Sequence, residues 1–204
     1  MSSTAGSNTK LLFTGVLAAG ILAGSALFTP SAAAKCSAEG FINTVSKQML
    51  SAGKSQSASA FRSLIRSHAD VDGITNFALG KYRRSIPSRD RAAVKKEIVN
   101  FMARTMAGYG RKFKGDRVTI ARCRKSGKFL TVDSKLVQAN LRSQKFVWKL
   151  RGAGKYKISD LNVQGIWLAQ LMRSNFSSAI KKSGGNISGL YAYLGVKDRA
   201  PDRN

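Results

Sequence analysis

From position 38 to about 113, apolar residues recur every three or four places; beyond Gly115 the period shortens to two. Phe41, Ile42, Val45, Met49 and Leu50 share one helical face over 38–51. Residues 51–57 (Ser-Ala-Gly-Lys-Ser-Gln-Ser) read as a loop by composition. A second helix runs through Phe61, Leu64 and Ile65 to near His68. A third, capped by Asp70 or Asp72, carries Ile74, Phe77, Ala78 and Tyr82. Pro87 breaks the chain, and Ser88 with Asp90 and Arg91 opens the longest helix. There Ile98, Phe101, Met102, Thr105, Met106, Tyr109 and Phe113 make one stripe. Such a stripe is either plain core or, with two Met and a Tyr in it, the wall of an adaptable pocket.

After Gly115-Asp116 the alternation of Val118, Ile120 and Arg122 with Thr119, Ala121 and Cys123 signals a strand. Further strands are expected over 129–139, 145–151 and 156–163. The intervening turns fall at Ser126-Gly127, around 140–143, and at Gly152-Ala153-Gly154. Connections this short argue for an antiparallel sheet. A last long helix with Leu168, Leu171, Met172, Phe176, Ala179 and Ile180 on one face stops at Gly184-Gly185. Asn186 then caps a short helix carrying Ile187, Leu190 and Leu194. Helices first and a curled sheet afterwards predict an α+β fold with one sheet face covered.

The first 34 residues read as a secretory signal. Lys10 supplies the positive region, 11–28 is apolar or small, and Ala32-Ala33-Ala34 offers small side chains for cleavage. The competing reading is a retained anchor, since the run is nearly long enough to span a bilayer. Cys36 follows Lys35 rather than a small residue, which disfavours a lipoprotein. Cleavage would leave a single domain over 35–196 and a polar tail over 197–204, exported to the periplasm. Cys36 and Cys123 would then meet an oxidising compartment, either as a disulfide tying the N-terminal segment to the sheet or as two free thiols.

The charge is extreme: 35 Lys and Arg stand against 10 Asp and Glu, a formal +25. The basic residues are spread over nearly every element. Such a field favours anionic partners, a membrane surface or nucleic acid among them; the plainer reading is a solvated basic surface.

Catalytic chemistry finds little support. His68 is the only histidine, which removes any His pair or His cluster within one chain, and a helix-end cap accounts for it. Asp70-Val71-Asp72-Gly73 opens like a calcium loop, but Lys81 stands where the bidentate Glu belongs. Gly152-Ala153-Gly154-Lys155 imitates a phosphate loop, yet Lys149 and Tyr156 occupy positions that need Gly and Ser or Thr. Nor is there an interleaved aromatic and basic motif of the kind that stacks single strands.

Several segments in order carry a resemblance. Asp72 to Ala78 is followed by Leu79-Gly80-Lys81-Tyr82, and a helix rich in aromatic residues spans 88–113. Then come Trp148-Lys149, a turn, and Lys157-Ile158-Ser159-Asp160-Leu161-Asn162-Val163-Gln164-Gly165. The next helix carries Arg173-Ser174-Asn175-Phe176. This arrangement resembles the MlaC-like, toluene-tolerance family of periplasmic phospholipid-binding proteins, over roughly 61–194. Gln164 and Asn175 stand where that family often has Glu, and Ile166-Trp167-Leu168 replaces a less bulky triplet.

The resemblance implies a cone like that of nuclear transport factor 2, with an apolar cavity between curled sheet and helices. It implies a monomeric carrier without catalysis or cofactor. Its cargo would be phospholipid or a hopanoid-like lipid, and its partners inner-membrane ABC-transporter and MCE-type components. The alternative is a secreted basic binder of nucleic acid or another acidic polymer. Candidate wall residues are Phe77, Tyr82, Phe101, Met102, Met106, Tyr109, Val147, Ile158, Val163, Ile166, Trp167 and Met172.

Overall fold

The computed structural model describes residues 36–110, 115, 117–138 and 143–196. The expected signal segment, Phe113, the turn at 140–142 and the polar tail lie outside the described residues. Four helices come first: α1 (Glu39–Lys54), α2 (Ala58–His68), α3 (Val71–Leu79) and α4 (Arg91–Tyr109). Two 3-10 segments, Gly80–Ser85 and Ser88–Asp90, join α3 to α4 around Pro87. Five strands follow: β1 (Arg117–Ser126), β2 (Phe129–Val137), β3 (Gln144–Arg151), β4 (Lys157–Val163) and β5 (Ile166–Trp167). Helices α5 (Leu168–Lys182) and α6 (Ser188–Leu194) end the described chain.

Local chemistry explains most boundaries. Ser57 Oγ accepts from Ala60 N–H at the head of α2, and Asp70 Oδ1 accepts from Gly73 N–H at the head of α3. Gly184 and Gly185 take positive φ at the end of α5, as a helix stop requires. Two boundaries differ from the pattern. Helix α1 runs on through Lys54 because Ala52 and Gly53 are buried, so packing overrides a loop-like composition. Strand β5 is two residues long, too short for its period to register.

The strands pair antiparallel in chain order, with register shifts at Ala121 on β1 and Ser159 on β4. Each leaves one residue unpaired and increases the local twist, which curls the sheet. Phe146, Trp148 and Leu150 of β3 are fully buried and lie opposite Ser134, Val132 and Leu130 of β2. That face meets α1, α2 and part of α4 in a sheet-side core. Trp148 Nε1–H donates to Ser134 Oγ at 2.8 Å, so the largest core side chain leaves no polar atom unpaired. Cys36 and Cys123 form a disulfide with Cα atoms 5.7 Å apart, fastening the start of the described domain to β1. A second, helix-side core gathers Ile74, Ala78, Ile86, Ile98, Met172, Phe176 and Leu190 from α3 to α6.

Candidate functional site

Two residues pack against both cores: Ala69, in the link between α2 and α3, and Met102 of α4. The seam between the cores therefore follows α4. At about 100° per residue, Val99, Ala103 and Ala107 form one flank of this helix and belong to the sheet-side core. Val94, Ile98 and Phe101 form the other flank, on the helix-side core. Met102, Met106 and Tyr109 fall between them. An amphipathic helix ordinarily buries the middle of its apolar arc most deeply. Here the order is inverted in the C-terminal half. Ala103 and Ala107 are buried, Met102, Thr105 and Met106 are half-buried, and Tyr109 is 51% exposed.

The twelve candidate wall residues divide accordingly. Met102 and Met106 line the seam from α4, with Val163 of β4 packed against the sheet-side core. Phe101 forms an aromatic trio with Phe176 and Tyr193, ring centroids 5.5–6.0 Å apart. Ile158 is buried in the sheet-side core and Met172 in the helix-side core. Ile166 shares the core-facing side of the sheet through its pairing with Val163, but is 56% exposed at the edge. Tyr82 packs on the helix-side core beside a cavity of about 200 Å³, and exposed Phe77 carries the Arg173 guanidinium over its ring.

Val147 and Trp167 are not brought together with these. Val147 lies between core-facing Phe146 and Trp148, so it projects from the opposite face, and it pairs with Asn162, which pairs with Trp167. The alternation in β3 points the same way, since Val147 shares its face with Lys145, Lys149 and Arg151 while Phe146, Trp148 and Leu150 share the other. The predicted stripe leaves out the buried flank Val99, Ala103 and Ala107; at two of these three positions alanine gives only a weak apolar signal.

The outer sheet face is strongly basic. Register places Arg117, Arg122 and Arg124 of β1, Lys135 of β2, Lys145, Lys149 and Arg151 of β3 and Lys157 of β4 there, against only Asp133 and Asp160. Some are engaged: Arg124 pairs with Asp133 at 3.0 Å, Arg151 with Asp70 at 3.4 Å, and Lys157 Nζ donates to the Ser67 carbonyl. Lys149 sits 4.4 Å above the Phe129 ring. His68, expected as a plain cap, instead pairs its Nε2 with Gln48 Oε1 at 2.9 Å.

Asp160 fixes the head of α5, its Oδ1 accepting from Ala169 N–H and Leu161 N–H. Burial nevertheless pushes its carboxyl above the usual 3.8, outweighing those hydrogen bonds and Lys149. The folded state thus holds this proton more tightly than the unfolded chain. The group's contribution is greatest below the unfolded value and declines as pH rises through the folded one. Asp160→Asn keeps an acceptor for Ala169 and removes the titration. Urea midpoints of the two proteins between about pH 4 and 7 should diverge in the variant's favour as pH rises.

The family model described as MlaC protein matches residues 37–195. A solved structure of a phospholipid-binding protein from Ralstonia solanacearum, in complex with a phospholipid, superposes with a TM-score of 0.65. The match covers 78% of this chain and 94% of that one at 19% identity, a likeness of fold. Comparison with curated proteins finds no significant match. The α+β order of helices, five-stranded open sheet and closing helices is the fold of that neighbour. With the family model spanning most of its length, the chain belongs to the MlaC family.

Proposed function

We propose that this chain is a periplasmic lipid carrier. It holds the acyl chains of a phospholipid, or of a hopanoid-like lipid, in the seam along α4. It passes its cargo between membranes with inner-membrane ABC-transporter and MCE-type components, as a monomer and without catalysis. The observation that carries this reading is the half-open middle of the α4 arc: Met102 and Met106 are only half-buried and Tyr109 is 51% exposed, while Ala103 and Ala107 beside them are buried. Family membership and the phospholipid bound by the Ralstonia protein support it. Exposing an acyl chain to water costs about 0.8 kcal/mol per CH₂, on the order of 10 kcal/mol for a whole chain, so transfer through water needs a dry container. Unbranched Met side chains can rearrange around chains of different shape. The basic outer face of the sheet supports approach to an anionic membrane surface, where each Lys or Arg adds about 1 kcal/mol.

Native mass spectrometry of the protein purified from the envelope without detergent should show one lipid per chain. Met102→Glu sets a carboxylate into the seam, and retained lipid should fall to less than about a tenth. Trp167→Ala, on the far side of the sheet, should leave it unchanged. An apo mass together with no uptake from liposomes would sink the carrier. The basic sheet face then favours the second reading, a binder of nucleic acid or another acidic polymer, whose affinity falls steeply with salt.

A further inference from the structure

Away from the seam, α3, the two 3-10 segments and the start of α4 border an open cavity of about 660 Å³ that none of the twelve wall residues lines. Its apolar side is Leu79, Ile86 and Val94, all members of the helix-side core. Its polar side is Arg83, Arg84, Arg91 and Lys95, with Asp72 the one acid, paired to Lys95 at 3.0 Å. Arg91 Nε also donates to the Ile86 carbonyl, which orients its guanidinium at this site.

Two features are unfavourable as they stand. Arg91 and Lys95 occupy the first turns of a 19-residue helix, the end where the macrodipole already disfavours cations, and two further guanidiniums are added beside them. Thr75, only 7% exposed, lines the same cavity, and its Oγ1 finds no hydrogen-bond partner among the described residues. The unpaired buried hydroxyl is costly in an empty site, and the four basic side chains, all exposed, give the site a net positive field of three charges that draws an anion. One occupant answers both, the Thr75 hydroxyl after a rotation about χ1 that brings it to the cavity: a group of two or more anionic oxygens, able to accept forked guanidinium hydrogen bonds and one from a hydroxyl.

We propose that this cavity binds a phosphate group, as a lipid headgroup or as free phosphate. The site is separate from the seam and does not rest on the carrier reading. Tetrahedral phosphate suits three Arg forks better than a planar carboxylate, and the apolar side accommodates an ester substituent.

The test is calorimetric titration of the purified chain, at constant ionic strength, with inorganic phosphate and with dihexanoyl phosphatidylglycerol below its micelle concentration. At least one should bind saturably. Arg84→Gln/Arg91→Gln should weaken that binding at least roughly tenfold. Lys125→Gln/Lys128→Gln, which removes the same charge from the β1–β2 hairpin, should change it less than about twofold. Thr75→Val, which alters no charge, should weaken it several-fold. Tighter binding of the short lipid than of phosphate assigns the headgroup; equal or weaker binding assigns free phosphate. Equal losses in the two charge-pair variants, no loss in Thr75→Val, or no saturable binding of either probe would overturn the site. Because these residues stand apart from Met102 and Met106, lipid seen by mass spectrometry should persist in Arg84→Gln/Arg91→Gln. A lipid-free chain that still binds phosphate would sink the carrier alone.

Discussion

Trp148→Ala should lower stability by about 3–5 kcal/mol, the range for deleting a fully buried aromatic side chain from a core that collapses only partly. The residue is fully buried on the inner face of the central strand, between Val132 on β2 and Leu161 on β4, with Phe146 stacked beside it. At roughly 2–4 °C per kcal/mol for a domain of this size, the thermal midpoint should drop by about 10 °C. Ser134→Ala separates the polar part of the effect from the packing. It removes almost no volume but strands the indole N–H, at a cost of about 1–3 kcal/mol. Urea unfolding of the two variants checks both. Similar losses would mean that the hydrogen bond dominates; a much smaller loss for Ser134→Ala would assign the effect to packing.

The second large effect is expected at the disulfide. Cys36 and Cys123 are separated by 87 residues, and a cross-link closing a loop of that length removes much of the unfolded chain's freedom. Replacing both by Ser should cost about 2–5 kcal/mol, with a midpoint lowered by roughly 5–15 °C. A reductant should destabilise the parent protein by a like amount and leave the double variant untouched. That second comparison isolates the bond from the side chains. A parent midpoint indifferent to reductant would mean that the closure contributes nothing.

The fold was largely legible because most of its signals are local. The change of period after Gly115, the Pro87 break, the cap at Asp70 and the Gly184-Gly185 stop each depend on a few neighbouring residues. The site was less so, for two physical reasons. Strand β5 is too short for alternation to show that Ile166 and Trp167 face opposite sides, although in β3 the charged neighbours Lys145, Lys149 and Arg151 mark the face of Val147 as the open one. The extra residue at Ser159 also breaks parity: Ile158 and Leu161 face the same core although they are three apart. On α4 the stripe was visible, but which part of it stays accessible depends on neighbours supplied by distant segments. The phosphate cavity leaves no compact motif at all. Arg83-Arg84 reads as a solvated pair until α3 and the head of α4 are set beside it.

The small residues on one flank of α4 have a mechanical consequence. Ala103 and Ala107 are buried there, and at the end of the helix a Cβ on Gly110 would stand 2.7 Å from the Gly53 carbonyl oxygen of α1. No soft side chain lies in that contact to act as a cushion, and the disulfide clamps the same half of the molecule to β1. One jaw of the molecule, α1, α2 and the sheet, is thus bolted to α4. Room for a bulky guest is therefore easier to make on the other side of α4, towards α3, α5 and α6. The long side chains Phe101 and Met102 of α4, with Phe176 and Tyr193 facing them, fill that side and can change rotamer around a guest, as the alanines on the opposite flank cannot.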